Sequence, residues 1–165
     1  MRAGVPVLAV VGRSGSGKTT LLERLIPELK RRGWRVGAVK HTHHTFDFDP
    51  RGKDSARLFR SGAEVFAFAS ASELAVMRQV SSAVPLDELV RAHMTGVDLV
   101  LVEGYKELAI PKIEVLARGE TPSSATGDLL AVVTEDTLPV QTPSFRPHDA
   151  AGLAELIEAR VLAPR

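Results

Sequence analysis

The chain has 165 residues, about one domain's length, and its 44% apolar and 25% charged content is that of an ordinary folded protein. Lys plus Arg (21) barely exceed Asp plus Glu (20), and the resulting net charge of +1 excludes a general nucleic-acid coat or a polybasic membrane binder. There is no cysteine, which excludes a disulfide framework, a thiolate zinc site and a cysteine nucleophile, and fits a cytoplasmic protein.

Residues 5–11 (VPVLAVV) form a nearly unbroken apolar run rich in β-branched side chains, which predicts a strand buried on both faces of a parallel sheet. Arg2 precedes it, but no small-residue cleavage site follows, so the run does not read as a signal peptide. Nor does any segment approach the ~20 apolar residues of a membrane span. After a glycine-rich turn, residues 18–32 have helical spacing, with Leu21, Leu22, Leu25, Ile26 and Leu29 on one face. Pro27 predicts a kink inside this helix and Gly33 ends it. Residues 34–39 read as a second strand, 41–53 as a polar loop and 54–61 as a helix. The β-rich runs 64–69 and 74–80 flank Ser70-Ala71-Ser72-Glu73 as a hairpin, whose free edge suits pairing across a two-fold axis. A helix at 85–93, strands at 97–102, 112–117 and 129–134, and a helix at 149–162 complete the chain, with 121–126 and 139–147 as loops. The alternation predicts a single α/β domain over residues 1–165, its sheet mostly parallel with an antiparallel hairpin extension.

Gly12-Arg13-Ser14-Gly15-Ser16-Gly17-Lys18-Thr19 matches G-x-x-x-x-G-K-[ST] in full, with Thr20 following. Glycines let successive backbone N–H groups turn inward onto a phosphate, and the helix that follows adds its positive end. A buried strand enters the motif and an amphipathic helix leaves it, as this loop requires. The expected architecture is therefore the three-layer sandwich of P-loop NTPases, with residues 12–20 binding nucleotide. Lys18 would bridge the β- and γ-phosphates, and the Thr19 hydroxyl would hold Mg²⁺. Asp98-Leu99-Val100-Leu101-Val102-Glu103 is an apolar strand ending in an acid. Glu103 at its C-terminal end would face the ligand crevice, to hold Mg²⁺ through water or orient an attacking water. Lys18 and Glu103 are thus the candidate catalytic pair. Asp98, at the other end, reads as a strand-edge or capping residue.

Lys40-His41-Thr42-His43-His44-Thr45-Phe46-Asp47-Phe48-Asp49, with Gly52-Lys53-Asp54-Ser55 just after, admits two readings. Its histidines and acids are transition-metal ligands, whereas Lys40 and Lys53 would compete with a cation and suit a substrate loop. Asp54 would accept from a Mg²⁺-bound water or contact substrate. Residues 30–60 carry nine basic side chains against three acids, a local +6 that leaves −5 to the rest and points to an anionic small molecule or an acidic patch. GTPases read guanine with an Asn/Thr-Lys-x-Asp run after a late strand. Here Thr134-Glu135-Asp136 lacks the lysine, and Asp136 is the remaining candidate to accept from guanine N1 and N2.

The phosphate loop, the histidine-rich run with its Gly-Lys-Asp-Ser sequel, Gly62-Ala63, Val102-Glu103-Gly104-Tyr105-Lys106 and Pro111-Lys112-Ile113-Glu114-Val115 together resemble the molybdopterin-guanine dinucleotide biosynthesis family MobB. The likeness covers about residues 5–160. It implies a GTP- and Mg²⁺-binding protein with weak GTPase activity, usually a homodimer. Such a protein acts as an adapter beside a MobA-like guanylyltransferase that joins GMP to molybdopterin. By position, Gly15, Gly17, Lys18, Thr19 and Thr20 would bind phosphate and Mg²⁺, with Glu103 on the metal side. Lys40, His41, His44, Asp47, Lys53 and Asp54 would line a second pocket, with molybdopterin as a candidate ligand. GTP over ATP rests on the resemblance. Two other classes remain open: a Ni- or Zn-delivering maturation GTPase using the histidine-rich loop, and a small-molecule P-loop kinase.

Overall fold

The computed structural model describes residues 4–42, 57, 59–123, 128–139 and 141–162. In chain order the elements are β1 (Val7–Val11), α1 (Lys18–Arg31), β2 (Val36–Lys40), β3 (Val65–Ala69), β4 (Leu74–Arg78), α2 (Leu86–His93), β5 (Leu99–Glu103), β6 (Lys112–Val115), β7 (Leu129–Val133), β8 (Ser144–Phe145) and α3 (Ala150–Arg160). They fall into two compact units, Met1–His41 with Val90–Arg165, and Thr42–Leu89.

The larger unit is a six-stranded sheet in the order β2-β5-β1-β6-β7-β8, with every pairing parallel. Parallel strands in the middle of a sheet need apolar side chains on both faces, and these sequences supply them. On one face Leu8, Val10, Leu99, Leu101, Ile113, Val115, Ala131 and Val133 pack in one cluster with Leu21, Leu22, Leu25 and Leu29 of α1 and Leu153, Ala154 and Ile157 of α3. On the other, Ala9, Val100, Val102 and Val132 are also fully buried. The α/β fold with a mostly parallel sheet is therefore as expected.

α1 is one continuous helix with Pro27 inside it. Two local details differ from the sequence expectation. β8 lies in the segment expected to be a loop. It spans two residues, paired as Val132↔Ser144 and Val133↔Phe145, too short to leave a period among its prolines. The other concerns charge. Arg31 and Arg32 both bind Glu28, and Arg32 also reaches Glu158 (2.7 Å) and Glu155 (3.4 Å), tying the end of α1 to α3. These two arginines hold the Glu28 carboxyl down at about 2. Trp34 Nε1 donates to Glu158 at 2.7 Å, and this bond, with Arg32, lowers the Glu158 pKa as well. Arg35 makes a two-pronged contact with Asp98, which also accepts the Arg35 backbone N–H at 2.8 Å and so joins the starts of β2 and β5. Asp98 is thus the strand-edge residue expected. Arg31, Arg32 and Arg35, part of what looks like an anion-binding stretch in sequence, are matched by acids near in space.

The smaller unit contains the predicted hairpin. β3 and β4 are antiparallel, from Val65↔Arg78 to Ala69↔Leu74. Ser70 closes the turn: its N–H donates to Glu73 O (2.8 Å) and its hydroxyl accepts from Glu73 N–H (3.0 Å). Of the helix expected at 54–61, Arg57, Phe59 and Arg60 are helical, and the other positions up to Arg60 lie outside the described residues.

Candidate nucleotide site

The strand order changes direction at β1. The chain passes from β1 through α1 to β2 on one side, and β6, β7 and β8 lie on the other. Ligands of open α/β sheets bind at such a point, outside the carboxyl ends of the strands. Residues 12–17 leave β1 there.

Gly12 has φ +144°, and a Cβ at this position would stand 2.2 Å from Val115 O and 2.7 Å from Ser16 Oγ. No side chain fits between the loop and the last carbonyl of β6. Gly17 occupies the N-cap of α1 in the left-handed region, so no side chain caps the helix, and its first turn carries no acid. The first N–H groups and the positive helix end are left for an anion. Lys18 Nζ donates to Arg13 O at 2.7 Å, folded onto its own loop.

Thr19 Oγ1 donates to Glu103 Oε2 at 2.8 Å, from residues 84 positions apart in sequence. Parallel pairing of β1 with β5 sets Val10 opposite Glu103, which brings the acid to the loop. Glu103 Oε1 lies 3.3 Å from Lys40 Nζ, since Lys40 is opposite Glu103 across β2 and β5. A hydroxyl and a carboxylate this close are hard oxygen donors of the kind Mg²⁺ takes, so the two residues fit that ion. No group of three or more His, Asp or Glu that could hold a metal occurs among the described residues.

His41 packs against the same strand end. Its N–H donates to Glu103 O (3.0 Å) and its ring lies 4.5 Å from that of Tyr105. Gly104 (φ +106°) permits this approach, because a Cβ there would come within 3.2 Å of His41 Cβ. Tyr105 itself sits at φ 56°, a left-handed conformation uncommon for a residue with a side chain.

Gly12 to Thr20, Lys40, His41 and Glu103 are therefore described, with Thr19 and Lys40 each in contact with Glu103. Asp136 is not part of that cluster: its Oδ2 accepts from Gly119 N–H at 2.6 Å, bracing the loop after β6. His44, Asp47, Lys53 and Asp54 lie outside the described residues.

A cavity of about 370 Å³ opens beside the phosphate loop, with Gly12, Arg13, Lys106, Glu114, Thr121 and Ser123 in its wall. Sequence reasoning gave Glu114 and Ser123 no role. A signal was present in Lys112-Ile113-Glu114-Val115: alternate charges on an internal parallel strand imply charges buried on one face. Lys112 and Glu114 are buried. Lys112 Nζ donates to the carbonyls of Leu108 and Ile110, and burial lowers its pKa.

The family model for molybdopterin guanine dinucleotide synthesis protein B, MobB, matches residues 7–135. The chain belongs to this family. It is 39% identical over 161 residues to the molybdopterin-guanine dinucleotide biosynthesis adapter protein of Haemophilus influenzae, covering 96% of this chain and 90% of the relative. Identity to the adapter protein of Escherichia coli is also 39%, over 93% and 91% of the two chains. A solved structure described as molybdopterin-guanine biosynthesis protein B superposes with a TM-score of 0.74 at 30% identity, covering 93% of this chain and 98% of the other. The fold and the family thus agree with the sequence resemblance.

Proposed function

We propose that this chain is a GTP-binding adapter of molybdenum-cofactor synthesis, which assists a MobA-like guanylyltransferase in attaching GMP to molybdopterin in the cytoplasm. The observation that carries the nucleotide reading is the Thr19–Glu103 contact of 2.8 Å beside a complete phosphate loop. Backbone N–H groups of residues 13–19 would cradle the phosphates, and Lys18 would exchange the Arg13 carbonyl for phosphate oxygens. Thr19 and Glu103 would hold Mg²⁺, which when bound neutralises phosphate charge. Lys40, 3.3 Å from Glu103, would move toward the nucleotide once that carboxylate is engaged.

Hydrolysis is expected to be slow, since Arg13, the one arginine in the loop, is paired 3.3 Å from Glu120. His41, His44, Asp47, Lys53 and Asp54 would serve to contact molybdopterin or the partner enzyme. The homodimer would form through the β3–β4 hairpin, where Val65, Leu74 and Val76 are exposed.

Calorimetric titration with GTP and ATP, each with and without Mg²⁺, tests this. GTP is expected to bind more tightly than ATP, Mg²⁺ to strengthen it, and Lys18→Ala to abolish binding. Tighter ATP binding, or full binding by Lys18→Ala, overturns the assignment.

A further inference from the structure

We infer that the cavity beside Gly12 receives a 2-amino-4-oxopyrimidine ring, the edge shared by guanine and pterins, with Glu114 as the carboxylate that reads it. The inference extends the proposed function, in which both heterocycles are handled.

Glu114 is 4% exposed and lies on β6, in register with Val11 and Val132. Its neighbours Ile113 and Val115 point into the core cluster, so Glu114 faces the other side of the sheet. Burying a carboxylate between apolar strands is costly unless its acceptor sites are filled. Among the described residues Glu114 has one hydrogen bond, from Ser123 N–H to Oε2 at 2.9 Å, and no ion pair. A carboxylate has room for about four donors. Glu114 lines the cavity, and so does Ser123, whose hydroxyl is buried without a partner among the described residues. The wall therefore holds a charged acceptor and a free hydroxyl with unused capacity, both within the larger unit.

Ligand classes sort by charge. A free phosphate or carboxylate would meet Glu114 as a like charge. A metal ion or a guanidinium would meet the Lys106 ammonium, which lines the cavity together with Arg13 and the Glu120 that pairs with it. A neutral ring with two adjacent N–H donors meets neither objection. Its ring N–H and exocyclic amine would make parallel bonds to Glu114, and its 4-oxo group would accept from a cationic or hydroxyl neighbour. The cavity volume is in the range of small-ligand sites. Asp136 has the same chemistry and braces the Gly119 N–H of the loop that walls this cavity, but it is not among the residues that line it.

The test compares two ligand pairs, on the full chain, in which the second member lacks the 2-amino group: pterin against lumazine, which carries an oxo group there, by fluorescence titration, and GTP against ITP, which carries hydrogen, by calorimetry. Wild type is expected to favour the 2-amino member of at least one pair by about tenfold or more. Glu114→Gln keeps an acceptor for Ser123 N–H but turns an amide N–H₂ toward the ligand, and should bring that ratio near one. Loss in the pterin pair assigns the cavity to a pterin; loss in the GTP pair assigns it to the guanine base. Ser123→Ala, which removes the free hydroxyl, should weaken the same ligand several-fold, and decides the matter if Glu114→Gln does not fold. A 2-amino preference that survives in both variants, or is absent from wild type, overturns the inference. Lys18-dependent GTP binding with both 2-amino ratios unchanged in Glu114→Gln defeats this inference and leaves the nucleotide reading intact. An intact, Glu114-dependent pterin preference without GTP binding does the reverse.

Discussion

β5 and the β3–β4 hairpin are built from similar side chains and meet opposite environments. Leu99, Val100, Leu101 and Val102 are fully buried, whereas Val65, Leu74 and Val76 are 44%, 71% and 58% exposed. The hairpin register puts those three on one face with Ala67 and Ala69, all exposed. Apolar composition makes a strand possible, but neighbours decide whether its surface is removed from water. β5 has a strand on each side, β2 and β1, while β3 and β4 have only each other. A two-stranded ribbon is marginal by itself. Its exposed apolar face is the kind of surface that another protein copy covers. The proposed homodimer supplies such a copy.

Leu101→Ala should give the largest effect, a loss of about 2–5 kcal/mol in denaturant unfolding, because it leaves a hole in the core cluster. Leu74→Ala should change protomer stability by no more than ~0.5 kcal/mol, as exposed positions do. A comparable loss at both sites would break the contrast between sheet and hairpin.

Gly12→Ala comes next, at about 1–3 kcal/mol from overpacking against Val115 O, with loss of GTP binding in the same titration. Retained nucleotide affinity would mean that the close approach of loop to β6 is dispensable. Leu74→Asp should leave the melting curve of the larger unit unchanged and shift light-scattering mass from dimer to monomer. An unchanged mass would remove the hairpin from the proposed interface.

The smallest effect concerns acid. The Glu28 carboxyl is pulled down from 4.5 to about 2 by hydrogen bonds from Arg31 and Arg32. A depressed carboxyl stabilises the fold fully above its unfolded value and loses that contribution as pH falls through the folded one. Glu28→Gln should therefore flatten the decline in stability between pH 4.5 and 2, and superimposable acid melts of the two proteins would show the cluster to be inert.

Much of this was legible in the chain itself. Residues 12–19, the helical face of Leu21, Leu25 and Leu29, and the hairpin turn at Ser70 announce themselves because loop, helix and turn are local, with short repeats or fixed spacings. Glu103 was found for the same reason, as an acid at the end of an apolar run. Asp136 shows what spacing does not reveal: its carboxylate accepts from Gly119 N–H, 17 residues away and reached only across a loop.

The sequence by itself determined which central strands would be buried, where the glycine-rich loop lies and which family motifs the chain carries, because each depends on neighbours within a few positions. Only the tertiary structure decided which charges are free. Arg32 of the basic stretch is taken up by Glu155 and Glu158, and Arg35 by Asp98, partners more than sixty residues away. Glu114, unremarkable in a balanced composition, is buried with acceptor capacity to spare. Charge is counted along a chain, but it is neutralised or exposed through space, over distances of about 3 Å that sequence separation does not measure.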